Sequence, residues 1–423
     1  MNNLFQRLGH ALKDKTILRR MLYTVAGLVL FRLLAAIPIP GVDTSALSNM
    51  LSGNQFLGLL NIFSGGGLST VSIVMLGVGP YITASIILQL LTMMIPSLKE
   101  MYKEDGEAGK AKLSQYSRIL SVPLSFVQAF GFIKLLQSQQ VLPALGGMDM
   151  LTNVIVIMAG SLLLMWIGEL ITEYGIGNGV SLIIFAGIVA VIPSKIGQIS
   201  TLYDPSQIPL YIGFLVVAFL IIAGVVMVNE AERPMPVTYA RQVRGGKTYG
   251  GVSTYIPLRL AQAGVMPIIF ALSILLFPQM ILQFMSKSAN ATVANIGTTG
   301  FSIFNDQLVY AILYFVFVFL FTYFYTAVTF DPKQMAENLQ KNGAFLSGIR
   351  PGEQTTLFIE KVMTRITLVG ALFLGIVAIL PLTLQAFTGD RSLTIGGTAL
   401  LIVVSVVIDL VKRIDAQVSM REY

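Results

Sequence analysis

The sequence predicts an all-α polytopic membrane protein, with ten transmembrane helices in two inverted five-helix halves around a central site or pore. Three observations predict it. Ten apolar stretches approach the roughly 20 residues that match a bilayer's hydrocarbon core. Lys and Arg are almost absent from every second connection between those stretches. The chain is 55% hydrophobic and 12% charged, with a mean hydropathy of +0.77. A soluble domain carries about 25% charged residues, so an ordinary globular core is excluded.

The predicted spans are 22–37, 71–95, 119–136, 152–172, 178–193, 209–228, 263–285, 307–329, 364–385 and 393–411. The first and fifth are short, and the charge alternation supports them. Cytosolic loops collect Lys and Arg. Of the 28 basic residues, only Lys195, Lys287 and Arg391 fall in the outside connections. Arg32 and Lys134 lie within or at the end of spans, and the rest fall on the inside. Both termini are therefore expected in the cytosol. The net charge of +7 follows from this topology without nucleic acid. Residues 1–21 read as a cytosolic amphipathic segment, with no cleavable signal peptide.

The outside linker 194–208 is rich in turn formers and divides the chain. Five spans precede it, within 22–193, and five follow, within 209–411; 412–423 form a cytosolic tail. An odd number of spans per half inverts the second half relative to the first. The consequence is a site or pore between the halves, with the linker as hinge. No strong residue-level repeat supports the inversion.

Several segments break the pattern. Residues 38–70 are long and mostly uncharged, and contain FLGLLNIF at 56–63 followed by SGGG. That piece is too short to span. It is either a re-entrant element enclosed by protein or a water-filled cavity, or an interfacial helix. In span two, Gly77, Gly79 and Pro80 are expected to break the helix near its middle, because Pro kinks helices. Gly264 and Pro267 do the same in span seven. Matching breaks in two halves point to a central site, although kinks also serve packing. The flanking Val78, Ile82, Met266 and Ile269 make this central feature apolar.

Other chemistry fails. The chain has no Cys and one His, His10, so disulfides, thiolate metal sites and His-based catalysis are excluded, and neither cofactor nor metal is expected. GKT at 246–248 lacks the preceding Gly of a phosphate loop, because position 241 is Arg. GIGNG at 175–179 lacks the dinucleotide spacing. Glu169, Glu173, Asp409 and Arg32 sit near span ends rather than at a midplane coupling site. The chain is expected to be no enzyme and to borrow energy from elsewhere. The inside loops 229–262 and 330–361 are larger than two helices require, and such loops commonly carry function. The first is basic; the second, mostly not basic, reads as a docking loop.

A set of ordered stretches resembles the SecY family, the large subunit of bacterial protein-conducting channels. They include FRLLAAIPIPG at 31–41, PYITASIILQLL at 80–91, GELITEYGIGNGVSLIIFAGIVA at 168–190, AGVMPIIFA at 263–271 and NGAFLSGIRPGEQT at 342–355. The resemblance covers nearly the whole chain. It implies a clamshell around an hourglass pore whose waist is an apolar ring: Val78 and Ile82, Ile184, Ile269, Ile402, with Met266 one turn away. An apolar constriction resists wetting and blocks ions without a charged filter. The resemblance also implies a plug helix, made of Phe56, Leu57, Leu59, Leu60, Ile62, Phe63, Ser64, Gly65 and Gly66. A lateral gate is implied between helices 2/3 and 7/8, with Gln89 and Gln128 as polar residues facing it; ordinary helix packing is the alternative for both.

For partners, the resemblance implies the SecE and SecG subunits, the SecA motor ATPase, the ribosome, signal sequences and nascent polypeptides, and membrane lipids. No sequence-specific nucleic acid is implied. Arg350, Pro351, Gly352 and Glu353 match the position used with SecA. Arg241, Arg244 and Lys247 lie in the loop that docks ribosomes and SecA. The implied location is a bacterial plasma membrane. The competing readings are a secondary transporter of a small solute, supported by the inverted topology, and a scaffold with no transport role, which leaves the breaks unexplained.

Overall fold

A computed structural model describes residues 14–39, 47, 61, 64, 66–104, 106–138, 141–143, 146–201, 208–239, 242–244, 247–249, 253–260, 262, 264, 266–286, 290–388 and 392–419. The first half contains α1 (Lys15–Ala35), α2 (Gly79–Met94), α3 (Pro96–Glu104), α4 (Gly106–Ser138), α5 (Gly147–Tyr174) and α6 (Gly179–Thr201). The second half opens with α7 (Ile208–Glu230) and strands β1 (Glu232–Tyr239), β2 (Gln242–Arg244), β3 (Lys247–Tyr249) and β4 (Ser253–Arg259). It continues with α8 (Met266–Met285), α9 (Ala291–Asn305), α10 (Gln307–Thr329), α11 (Pro332–Lys341), β5 (Ala344–Leu346), α12 (Glu353–Thr388) and α13 (Ser392–Ser419).

Each predicted span coincides with a helix. Among the described residues, α4, α5, α10 and α12 are long and apolar enough, by length and composition alone, to cross a membrane. The pair α2 and α3, bent by 108°, adds a fifth if it is one span. Local chemistry sets several starts. Asp14, Asp306 and Asp331 accept backbone N–H bonds at the first turns of α1, α10 and α11, as N-caps do. The Asn178 side chain accepts from the Ser181 N–H at the start of α6.

Three expectations are corrected. The helix of span two starts at Gly79, and 71–78 form turns. The helix of span seven starts at Met266. Pro80 and Pro267 thus sit in the first turn, where a missing N–H breaks no internal bond, and they kink nothing. Helical backbone also runs to Thr201, well into the linker expected at 194–208.

Within the first half, α2 packs on α4, α4 on α5, and α5 on α1 and α6. Within the second, α8 packs on α10, α10 on α12, α12 on α13, and α13 on α7. The halves meet along two lines, α2 against α8 and α6 against α13. One apolar core crosses both lines. A separate core lies under the loops 229–262 and 330–361. There β1 pairs antiparallel with both β4 and β5, so the two loops form one sheet. Met235, Val237, Leu258 and Leu346 from the sheet pack with Ile359 and Val362 of α12.

Candidate functional site: an apolar constriction beneath a polar funnel

The structure places the predicted ring residues in one apolar core, and Ile82, Ile184, Met266 and Ile269 on one cavity. Val78 caps α2 and Ile82 is its fourth residue. Ile184 comes from α6, Ile269 from α8 and Ile402 from α13. All five are buried, none more than 5% exposed, and belong to the single core shared by both halves. Met266 is half-buried and packs against it.

The backbone behind them is tightly fitted in the first half. A Cβ on Gly179 would collide with the Gly168 carbonyl oxygen, so only glycine lets α6 turn back so closely on α5. A Cβ on Gly160 would lie as close to the Ile73 carbonyl. Next to it, the Ser161 hydroxyl donates to the Gly77 carbonyl at 2.8 Å. Residues 71–78 are enclosed by protein, all but the half-buried Ile73 being buried.

A local repeat escaped the reading of the sequence. GVGPYITA at 77–84 aligns with GVMPIIFA at 264–271, sharing Gly, Val, Pro, Ile and Ala at the same offsets. Gly77 has φ +58 and Gly264 φ +55, a left-handed conformation that glycine adopts freely. Both precede a helix start by two residues, and Ile82 and Ile269 occupy the same place in each copy. The signal lay in the sequence, as a short match between spans two and seven.

A cavity of about 440 Å³ opens above the constriction. Ile82, Ile184, Met266 and Ile269 line its apolar floor; Tyr81, Ser85, Gln89, Ser114, Asn178 and Ser181 contribute its polar walls. A second cavity of about 260 Å³ shares Asn178, Ser181, Met266 and Tyr325 with the first. Ion pairs stand around this funnel. Arg118 meets Glu169 at 2.6 Å, Lys412 meets Glu230 at 3.0 Å, and Arg413 meets Asp409 at 2.8 Å. Arg118 and Glu169 line the larger cavity, with Glu173 beside them. Charge therefore rims the funnel, while its floor is apolar.

Gln89 lines the larger cavity; its amide donates to Ser85 Oγ at 3.3 Å and its carbonyl oxygen is buried with no partner among the described residues. Gln128 is half-buried on α4 and lines neither cavity. Of the plug candidates, Phe56, Leu57, Leu59, Leu60, Ile62, Phe63 and Gly65 lie outside the described residues. Ser64 and Gly66 are buried, and the Ser64 oxygen accepts from the Leu68 N–H at 3.0 Å.

Arg241 lies outside the described residues. Arg244 and Lys247 are register partners in the β2–β3 hairpin. Arg350, Pro351 and Glu353 are exposed and Gly352 half-buried, with φ +102, at the start of α12. The Arg350 carbonyl accepts from the Thr355 hydroxyl at 3.0 Å. This site stands at the edge of the loop sheet.

The family profile of SecY matches residues 72–411. The chain belongs to the SecY family. The SecY translocase subunit of Streptomyces coelicolor is 40% identical over 98% of each chain. That of Mycobacterium tuberculosis strain H37Rv is 39% identical over 98% of this chain and 97% of its own. A solved protein-conducting channel superposes with a TM-score of 0.67 at 19% identity, covering 96% of this chain and 93% of its own. Sec61 in a canine ribosome–channel complex gives 0.60 at 19% identity over the same shares. At those identities the structures establish a common fold, and the SecY relatives carry the resemblance across the whole chain.

Proposed function

We propose that this chain is the central pore-forming subunit of a preprotein translocase, passing unfolded secretory polypeptides across the plasma membrane. The observation that carries the reading is the buried apolar constriction contributed by α2, α6, α8 and α13, set beneath a polar funnel. A narrow apolar waist dewets and stops ions, and it has no preference for the sequence of the chain passing through it. The curated relatives, named as SecY translocase subunits, support the same reading.

The remaining details belong to the proposal. Ten spans form two halves, 22–193 and 209–411, with both termini cytosolic. Residues 56–66 act as the plug. The lateral gate lies where α2 and α4 face α8 and α10, and it releases transmembrane segments into lipid. Contact of α8 with both α2 and α4 supports that placement. SecE and SecG brace the halves, and energy comes from SecA or a ribosome. The exposed Arg350 and the β2–β3 hairpin belong to their docking surface. Neither catalysis nor a cofactor has a part in this mechanism.

A cysteine at Ile82 is unique, because the chain has none. A stalled secretory precursor carrying one cysteine should form a disulfide with it, and only when its signal sequence is functional. No bond at any of several stall lengths, with targeting intact, would overturn the reading and turn attention to small-solute uptake.

A further inference from the structure

We propose that Glu173 fixes the orientation of an entering segment: its carboxylate holds the segment's cationic flank on the entry side of the constriction. The proposal rests on the channel reading above and adds a specificity-determining residue to it.

The larger cavity has two unlike walls. Met266, Ile269, Phe270 and Tyr325 of the second half form an apolar and aromatic wall. The first half forms the polar wall, and that wall alone carries charge: Arg118, Glu169 and Glu173. Arg118 Nε and Glu169 Oε1 meet at 2.6 Å and neutralise each other. Glu173 is exposed and makes no ion pair among the described residues. The cations on the adjoining cavity, Arg259, Lys412 and Arg413, are paired with Glu232, Glu230 and Asp409. Glu173 is also the next-to-last residue of α5, where the helix end carries partial negative charge. A carboxylate there is repelled by its own helix and gains from an added cation. On the same wall Gln89 offers a buried carbonyl oxygen with no partner among the described residues. The wall has acceptors in excess of donors.

The placement suits a cation followed by an apolar stretch. The hydroxyl of the neighbouring Thr172 accepts from the Gly179 N–H at 2.8 Å, which sets Glu173 beside the start of α6. Ile184 of the constriction lies five residues along that helix, roughly 8 Å at about 1.5 Å per residue. Secretory signals begin with a positive flank and continue with an apolar run of about 7–15 residues. With the flank at Glu173, the apolar run begins against the apolar wall and reaches the constriction within its first turns. The constriction itself has no preference for sequence or direction. A fixed negative charge just before it supplies the direction, because a cation bound there stays on the entry side. Retention of Lys and Arg on one side of the membrane then has a local cause in this chain.

The test uses the full chain with its co-purified subunits in proteoliposomes. Two test proteins carry the same single apolar span and differ only in the flank before it, Lys-Lys in one and Ser-Ser in the other. Protease protection reads the ratio of the two inserted orientations. In wild type the Lys flank should stay on the entry side. Glu173→Gln should lower that ratio by about fivefold, the upper range for an exposed ion pair, and the shift should be confined to the Lys-flanked protein. Glu173→Lys should lower it further. High salt should shrink the difference between wild type and Glu173→Gln. Insertion of the Ser-flanked protein shows in each variant that the channel is intact. Three results overturn the proposal: a ratio unchanged in both variants, equal shifts for the two test proteins, or a Glu173→Lys effect no larger than that of Glu173→Gln. Wild-type vesicles that insert neither test protein would instead remove the channel reading.

Discussion

The approaches to α2 and α8 carry the same local sequence device and are mounted in opposite ways. Residues 66–78 are clamped from several sides. The Ile39 N–H donates to the Val71 carbonyl at 2.9 Å and the Ile73 N–H to the Ile37 carbonyl at 3.1 Å. The Thr70 hydroxyl donates to the Ala35 carbonyl at 3.0 Å. α5 closes the other side through Gly160 and Ser161. Among the described residues, a Cβ on Gly264 would meet nothing within 4 Å, and the nearby Leu260 N–H is tied to the Ala231 carbonyl at the base of the loop sheet. One copy of the repeat is therefore tied to α1 and α5, and the other follows the sheet formed by the two loops. Similar local sequence is thus held by long-range hydrogen bonds in one half and is less tightly enclosed, among the described residues, in the other.

The largest effect should come from breaking the tied segment, the post on which α2 stands. In Gly160→Ala the new methyl group collides with the Ile73 carbonyl, which cannot move without shifting 71–78. The expected cost is about 1–3 kcal/mol or more, seen as a lower thermal unfolding midpoint in detergent. Gly224→Ala is the control: its Cβ would sit 3.5 Å from Phe373, an ordinary contact, and stability should hold. Equal losses in the two variants would mean that the post is not specially tight.

Placing a polar group in the second half tests the ring itself. Asn at Ile269 would bury an amide among the side chains of the shared core. An unsatisfied buried polar group costs about 1–3 kcal/mol, and that cost applies only while the ring is dry. Ion efflux should rise by about tenfold. The same substitution at Ile359, in the core under the loop sheet, should lower stability without efflux. Efflux from the Ile359 variant would show that the two cores are not independent.

Much of this arrangement was legible in the sequence, and the exceptions share a cause. Hydropathy located the helices, because the bilayer imposes a length on every span. The ring residues came from the motif resemblance, and all five belong to the one apolar core that both halves share. Residues 71–78, VSIVMLGV, read as the beginning of a span because a short apolar run has the same composition whether helical or not. Their turns are set by hydrogen bonds to α1 and α5, which are long-range. The loop sheet was invisible for the same reason: Val237 pairs with Leu346, far away in sequence. Pro80 and Pro267 were misplaced because a proline that starts a helix and one that kinks it look alike until the boundary is known.

A smaller effect isolates one bond of the post. Ser161→Ala removes the hydroxyl that donates to the Gly77 carbonyl and leaves that buried oxygen without it. The expected loss is about 1 kcal/mol, again in thermal unfolding. Unchanged stability in Ser161→Ala would mean that the bond adds nothing to the post.

The smallest effect concerns the ring's composition. Val78 is fully buried at the end of the clamped segment, and it is the one residue among the five smaller than Ile. If it leaves the constriction slightly open, Val78→Ile adds a methylene where the ring is thinnest. Burying one methylene is worth about 0.8 kcal/mol, so resting ion efflux should fall by no more than about fourfold. The clamp makes this measurement informative. Because 71–78 cannot retreat from α5, the added carbon must project toward the ring or strain the post. Reduced efflux at unchanged stability would mean that it fills the ring. Unchanged efflux with lower stability would mean that Val78 belongs to the post, and that the seal is made by Ile82, Ile184, Ile269 and Ile402 alone.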